Sequence, residues 1–377
     1  MSIRTRGLDT PSRSTAPERM TASCVGQPSA RIISPADLPD PSGGTIYNER
    51  IAAQWGVEIE WLPGSWPFPS PEDLRLLEAA LMPSGQARPE PILLDGAIGC
   101  AAPEVVYSAR AAGARVVLVV HLPLPAETGL SAREIDQLRT SEAMALREAS
   151  AIVATSRWAA ADLYRRYDIE RIDVAEPGTD PAPLALGSTP PRFVTVAAYN
   201  PRKNHRLLIE TFAVLAVRDM AWTALWVGAD PTGDAKNTTE RAVVAAGLGT
   251  RISVQGPAHG SDMAAIWAGA DVLLLPSRAE TYAMVVAEAL ACGLPALVGS
   301  DTGAAETLRG QDTAGPMPGL ALPTDDPSAW AEAIHTWLTS APVRQAWSDS
   351  AYQRRSTLGS WHRSAEIIGR VMNRSTQ

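Results

Sequence analysis

Lysine is nearly absent from this 377-residue chain: Lys203 and Lys236 stand against 31 arginines. The bias points to a GC-rich coding sequence and singles out whichever lysine falls inside a motif. Cysteine is scarce too. Cys24, Cys100 and Cys292 are too far apart for a disulfide framework or a metal-ligand set, so a reducing cytoplasm is the expected compartment. No apolar run approaches the roughly 18 residues of a membrane-spanning helix. Asp-x-Asp, His/Cys clusters, a strand-borne Gly-x-Gly-x-x-Gly, a P-loop and Gly-x-Ser-x-Gly are all missing. These absences argue against a bound metal, a dinucleotide oxidoreductase, a P-loop NTPase and a serine hydrolase. Positive charge is also short. The net charge is −8, and residues 31–180 hold 13 Arg, no Lys and 22 acidic residues, a net of −9. Nucleic acid is therefore not an expected partner, and neither is stable association with an anionic membrane.

The length suits two domains, each with its own core. Residues 1–30, rich in Ser, Thr, Pro and Arg without an apolar core segment, are expected to form a disordered tail, with Met20 as another possible start. Beyond them, short apolar runs alternate with helical patterns, the signature of a doubly wound α/β fold. Strands are expected at 31–34, 92–95, 116–121, 151–155 and 172–175 in the first half. A helix is expected from Thr45 to Trp55, opened by Gly43-Gly44. The Pro-rich stretch 181–192 reads as a linker. The second half repeats the pattern, with strands at 193–197, 224–227 and 251–255, and the tail from Arg344 reads as helix through Ser360-Trp361.

The densest information lies in residues 271–306. An apolar run, Val272 to Leu275, breaks at Pro276-Ser277; a loop with Glu280 follows, then a helical pattern carrying Glu288, stopped by Gly293-Leu294-Pro295. At the C-terminal end of a parallel strand such a loop faces a ligand crevice. Amides near Ala283, Met284 and Val285 can meet a phosphate or sugar oxygen, and two carboxylates eight residues apart can accept from hydroxyls. Two Glu on a helix face are also, ordinarily, only a solvated surface.

The run Glu280-x-Tyr-Ala-Met-Val-x-x-Glu288 resembles the E-x-F-G-x-x-x-x-E signature of retaining GT-B glycosyltransferases of family 4. The resemblance extends from about Arg31 to the C-terminal helix and is stronger in the second half. It implies two facing Rossmann-like domains with parallel sheets: an acceptor domain at 31–180, a linker at 181–192, a donor-nucleotide domain at 193–355, and a C-terminal helix at 356–377 that crosses back. It also implies Glu280 by the donor sugar and Glu288 on the ribose. Asn200-Pro-Arg-Lys-Asn-His205 resembles the family's phosphate loop, giving Arg202 and Lys203 to the donor diphosphate. A basic loop before a helix is the plainer alternative. That loop departs from the pattern, since Ala198 stands where the family has Arg and Ala197 where it has Gly. Ala283 likewise replaces a Gly.

Further residues follow from the resemblance. His121, ending VVLVVH, takes the place of a His that contacts the donor sugar, although a lone His after a strand is more often structural. Gly43 and Gly44 resemble paired glycines that approach phosphate, and a simple turn explains them equally. Gly256 falls where relatives hold the nucleobase through backbone groups, and Asp95-Gly96 could meet the acceptor. The expected activity is a metal-independent, hexosyl-type transfer with retention, from a nucleotide-sugar to a hydroxyl of a small acceptor, in a bacterial cytoplasm without a bound cofactor. Metal-dependent transferases of the other common fold need the missing acidic pair. The alternatives are a catalytically impaired GT-B-like binding protein, which Ala198 supports, and a sugar phosphorylase or epimerase on the same fold.

Overall fold

The computed structural model describes residues 30–36, 42–83, 89–311 and 315–374; the expected tail, up to residue 29, lies outside them. Strands β1 (Arg31–Pro35), β2 (Ile59–Leu62), β3 (Ile92–Asp95), β4 (Val116–Val120), β5 (Ala151–Ala154) and β6 (Asp173–Val174) form one parallel sheet in the order 2-1-3-4-5-6. A second parallel sheet runs 12-11-10-7-8-9. Its strands are β7 (Arg192–Val196), β8 (Thr223–Val227), β9 (Ile252–Gln255), β10 (Val272–Leu275), β11 (Ala296–Gly299) and β12 (Gly319–Leu322). Helices α1 (Gly43–Trp55), α2 (Pro71–Leu81), α3 (Gly96–Gly99), α4 (Pro103–Ala111), α5 (Ala132–Glu148) and α6 (Arg157–Tyr167) serve the first sheet. The second half contributes α7 (His205–Ala216), α8 (Ala235–Ala245), α9 (Gly260–Ala268), α10 (Met284–Ala291), α11 (Gly303–Arg309), α12 (Pro327–Thr339), α13 (Ala341–Arg355) and α14 (Trp361–Arg374). The architecture is α/β, with two six-stranded parallel sheets covered on both faces.

The central strands are continuous apolar runs because both their faces are buried. All five side chains of β4, Val116 to Val120, are inaccessible, one set packing toward α2, α4 and α5 and the other toward α1 and α14. Serines start several helices: the side chains of Ser42, Ser70, Ser131 and Ser156 accept from the amides of Thr45, Asp73, Glu134 and Ala159. Capping by Ser42 moves the start of α1 two residues ahead of the expected Thr45, so Gly43 and Gly44 form its first turn.

The expected continuous helix from Arg344 is corrected to two. Between α13 and α14 the carbonyl of Gly359 accepts from the Thr179 amide (2.9 Å), which draws the chain across to the first domain. There Trp361, Ile368, Val371 and Met372 of α14 join the core beneath α1, and Trp55 Nε1 donates to the Ala365 carbonyl (3.3 Å). Strand β2 was hidden in the sequence because it is an edge strand: only Leu62 of its four residues is buried.

Two chain crossings thus join the halves, and they brace each other. Gly178 of the first crossing lies so close to the second that a Cβ there would land on the Trp361 backbone nitrogen. The neighbouring atoms are backbone and cannot swing aside. Gly178→Ala is expected to lower unfolding free energy by about 2 kcal/mol or more, read by urea denaturation. A wild-type midpoint in the variant would mean that the crossings are not tightly packed.

Strand order also locates the crevice. In the first sheet the connections reverse direction between β1 and β3, and in the second between β7 and β10. Ligands of doubly wound folds bind at the carboxyl ends of strands flanking such a reversal. No helix among the described residues is long and apolar enough to cross a membrane.

Candidate active site

The two loops flanking the reversal in the second sheet carry Lys203 and Glu280. After β7 the chain enters a single 3-10 turn, Pro201–Lys203, held by the Asn200 side chain accepting from the Lys203 amide (3.1 Å). Asn204 then adopts a left-handed conformation and donates through Nδ2 to the carbonyls of Pro276 (3.2 Å) and Thr324 (2.9 Å). That tether fixes Lys203 against the loop after β10, where its Nζ lies 2.5 Å from Glu280 Oε1. Arg202 closes the other side. Its Nη1 donates to the Ala279 carbonyl (3.1 Å) and lies 3.8 Å from Glu280 Oε2, and its Nε is 3.3 Å from Glu127 of the first domain.

Burial acts on both members of the Lys203–Glu280 pair. Desolvation pulls the Lys203 ammonium below the usual lysine range, and Glu280 only partly restores it. Desolvation would raise Glu280, but the charges of Lys203 and Arg202 outweigh it and hold the carboxyl below its ordinary value. Glu280 is therefore a carboxylate facing two cations. His205, two residues after Lys203, is pushed down to about 4 by burial and by Lys203. Packed between Tyr199 and Trp226, it stays neutral and structural, as expected of a helix-start residue.

His121 approaches from the end of β4. Asn48, buried within α1, donates through Nδ2 to Asp95 Oδ2 (2.7 Å) and Ser34 Oγ (3.0 Å), which leaves its Oδ1 facing His121 Nε2 at 3.1 Å. An amide oxygen only accepts, so this contact assigns the ring hydrogen to Nε2 and leaves Nδ1 as an acceptor. Burial lowers the His121 pKa, with Asp95 opposing. Gly44 makes room for the ring, since a Cβ there would sit 2.9 Å from His121 Cδ2. Gly43 faces Met284, the first residue of α10, so the starts of α1 and α10 meet across the crevice.

No side chain caps α10. Its N-cap is Ala283, in a left-handed conformation at φ 68°, ψ 74°. The first amides of α10, those of Met284 and Val285, are therefore open to an anion at the positive end of the helix. Glu288 lies a turn further along α10 in a different group. Burial raises its carboxyl, the Asp180 charge raises it further, and Arg50 opposes both. Arg50 itself pairs with Asp180 at 2.6 Å. Gly256 follows the edge strand β9, with open space where a side chain would be. Ala198 lies half-buried beside the Lys203 turn, and the Arg278 backbone amide donates to the Arg202 carbonyl (2.9 Å). Among the described residues no group of three or more His, Cys, Asp or Glu side chains could hold a metal ion.

Sequence reasoning missed Asn48, whose signal was a polar residue on the buried face of α1. It also missed Thr281, whose partners Ser156 and His121 lie over a hundred residues away.

Residues 190–340 match the family model described as glycosyl transferases group 1. Over that stretch the chain is similar to glycosyl transferases group 1, and its fold is GT-B. A D-inositol 3-phosphate glycosyltransferase of Salinispora arenicola is 29% identical over 261 residues, spanning 61% of this chain and 57% of the relative. A protein of the same description from Rhodococcus opacus is 28% identical over 244 residues, 60% of this chain and 53% of its own. The chain thus spans little more than half the length of these relatives. Among solved structures, sucrose-phosphate synthase from Thermosynechococcus elongatus superposes with TM-score 0.73 at 19% identity, covering 92% of this chain and 98% of that one. Anabaena HepE in complex with UDP and glucose superposes with TM-score 0.71 at 18% identity, covering 91% and 99%. At such identities the GT-B fold is what these structures share with the chain.

Two expectations test the geometry. Lys203→Met leaves Glu280 buried without its nearest cation, and about 3 kcal/mol of stability should be lost at pH 7. In the wild type, the depressed Glu280 pKa contributes stability above the ordinary value of 4.5 that is lost as pH falls through the folded value. Without Lys203, burial reverses the sign, so the deficit should shrink on acidification. A deficit that is constant from pH 7 to pH 4.5 in urea titrations would rule out the ion pair. At Ala283 a Gly relieves left-handed strain, so Ala283→Gly should leave stability equal or raise it by up to about 1 kcal/mol. A clear loss of stability would contradict the φ of 68°.

Proposed function

We propose that this GT-B protein transfers a sugar from a nucleotide-sugar to a hydroxyl of a small acceptor, with retention at the anomeric carbon and without a metal ion. The observation that carries this reading is the meeting of Lys203, Arg202 and Glu280 at the reversal point of the second sheet, opposite His121 and beside the uncapped start of α10. Partly buried cations and open helix amides suit a diphosphate. Glu280 and the acceptor nitrogen of His121 suit sugar hydroxyls, and Glu288 suits the ribose.

In this reading Lys203 and Arg202 stabilise the charge on the departing nucleoside diphosphate, which is the role a divalent metal would otherwise serve. The bond from the anomeric carbon to the diphosphate oxygen breaks and a bond to the acceptor oxygen forms on the same face. The acceptor's proton passes to the departing diphosphate, so no protein base is required. Arg202 takes the second cationic place that Ala198 leaves empty. A uridine diphosphate sugar is the favoured donor, since HepE was solved with UDP and with UDP-glucose. The similar relatives are named for D-inositol 3-phosphate. With a net charge of −9 over residues 31–180, an uncharged acceptor is favoured here.

Thermal shift of the purified protein with UDP, GDP, ADP, dTDP and their sugar conjugates is the first test, with product analysis by mass spectrometry. UDP should raise the midpoint, Lys203→Ala should abolish the shift, and Glu288→Ala should weaken nucleotide affinity about 10-fold or more. No shift with any nucleotide would overturn the donor site. A shift without turnover on any acceptor would favour a non-catalytic binder.

A further inference from the structure

The first turn of α6 is completed from the other domain. Helix geometry leaves the first amides of α6 without partners inside the helix. Ser156 Oγ takes one of them, the Ala159 amide, at 2.9 Å. The amides of Arg157 and Trp158 instead donate to the two oxygens of Glu306, at 3.0 Å and 2.6 Å. Glu306 belongs to α11 of the second half, so its carboxylate spans the interdomain boundary to a helix N-terminus, where charge and dipole both favour it.

Glu306 does not stand alone. Its helix is fixed to the loop that carries Glu280: the Gly303 amide donates to the Glu280 carbonyl (2.7 Å), and the Thr307 hydroxyl donates to the Tyr282 carbonyl. Between those two carbonyls lies Thr281, which joins the same boundary twice. Its carbonyl accepts from Ser156 Oγ, and its Oγ1 donates to the His121 carbonyl (2.5 Å). One rigid unit, α11 with residues 280–282, therefore grips one face of the first domain, formed by the start of α6 and the end of β4.

We propose that Glu306 is a positioning residue: it latches the two domains together and, through Thr281, holds His121 at its working distance from Glu280. Neither Glu306 nor Thr281 touches the reacting atoms in this account. The kinetic consequence rests on the transfer reaction proposed above; the latch itself does not.

The test uses the full-length protein and the variants Glu306→Ala, Glu306→Gln and Thr281→Val, each first checked for a native far-ultraviolet circular dichroism spectrum. Glu306→Ala should increase the radius of gyration in small-angle scattering and speed hydrogen exchange at the Arg157 and Trp158 amides by 10-fold or more. Glu306→Gln, which keeps one amide acceptor, should fall between Ala and wild type. Thr281→Val leaves the carboxylate cap intact, so its radius should match wild type while kcat with UDP-glucose falls on the order of 10-fold. An unchanged radius and unchanged exchange in Glu306→Ala would overturn the latch. A wild-type kcat in Thr281→Val would overturn the positioning of His121. If the wild type transfers no sugar at all, the proposed function fails, and scattering with exchange still decides the latch.

Discussion

A lysine ammonium buried against a single carboxylate is costly to maintain, and the crevice is organised around that cost. Desolvation of Lys203 and Glu280 is offset only because two loops are locked in register. Asn204 ties the first loop to the second through the Pro276 carbonyl, and Arg202 adds a second cation through Ala279. Breaking either loop's geometry would leave one charge unpaired in a poorly hydrated space, which is far less favourable than the pair. An anionic ligand entering here would not create a cationic site. It would compete with Glu280 for cations that are already in place, with part of the solvent already removed. The ion pair thus offsets much of the charge within the crevice.

The connection between the domains has two different physical bases. The two crossings are packed backbone to backbone, at Gly178 and Trp361, with the Thr179 amide bonded to the Gly359 carbonyl. Contacts of that kind are continuous with the cores and do not exchange readily with water. Elsewhere the boundary is held by side-chain oxygens: Glu306 on the α6 amides, Ser156 on Thr281 and Thr281 on His121. Each of those groups can be satisfied by water when the halves part.

Much of this was legible in the sequence wherever the signal was local. Buried parallel strands announce themselves as apolar runs, so Val116 to Val120 and Val272 to Leu275 could be placed without a structure. The spacing of Glu280 and Glu288, and a scarce lysine at 203, pointed to the crevice because they sit at the ends of such runs. Edge strand β2 was not legible, because a strand with one buried residue in four has no alternation to read. The break between α13 and α14 depends on a bond from Thr179, which lies 180 residues away from Gly359 in the sequence, and helical periodicity carries no trace of it. Asn48 and Thr281 belong to the same class. Each is an ordinary polar residue whose meaning comes from a partner on the other side of a sheet or of the crevice.

The two alanines that depart from the family pattern show how differently a fold treats backbone and charge. At Ala283 the left-handed conformation persists although the residue that adopts it most easily is missing. The surrounding contacts, from Met284 against Gly43 to the packed face of α10, over-determine the turn and absorb about 1 kcal/mol of strain. At Ala198 no comparable constraint can replace what is lost, because a methyl group cannot supply positive charge. The replacement has to come from another side chain, and Arg202 is already drawn toward Glu280 by the same turn that presents Lys203. Backbone geometry is conserved by the fold as a whole, while charge is conserved only by whichever neighbouring residue can reach.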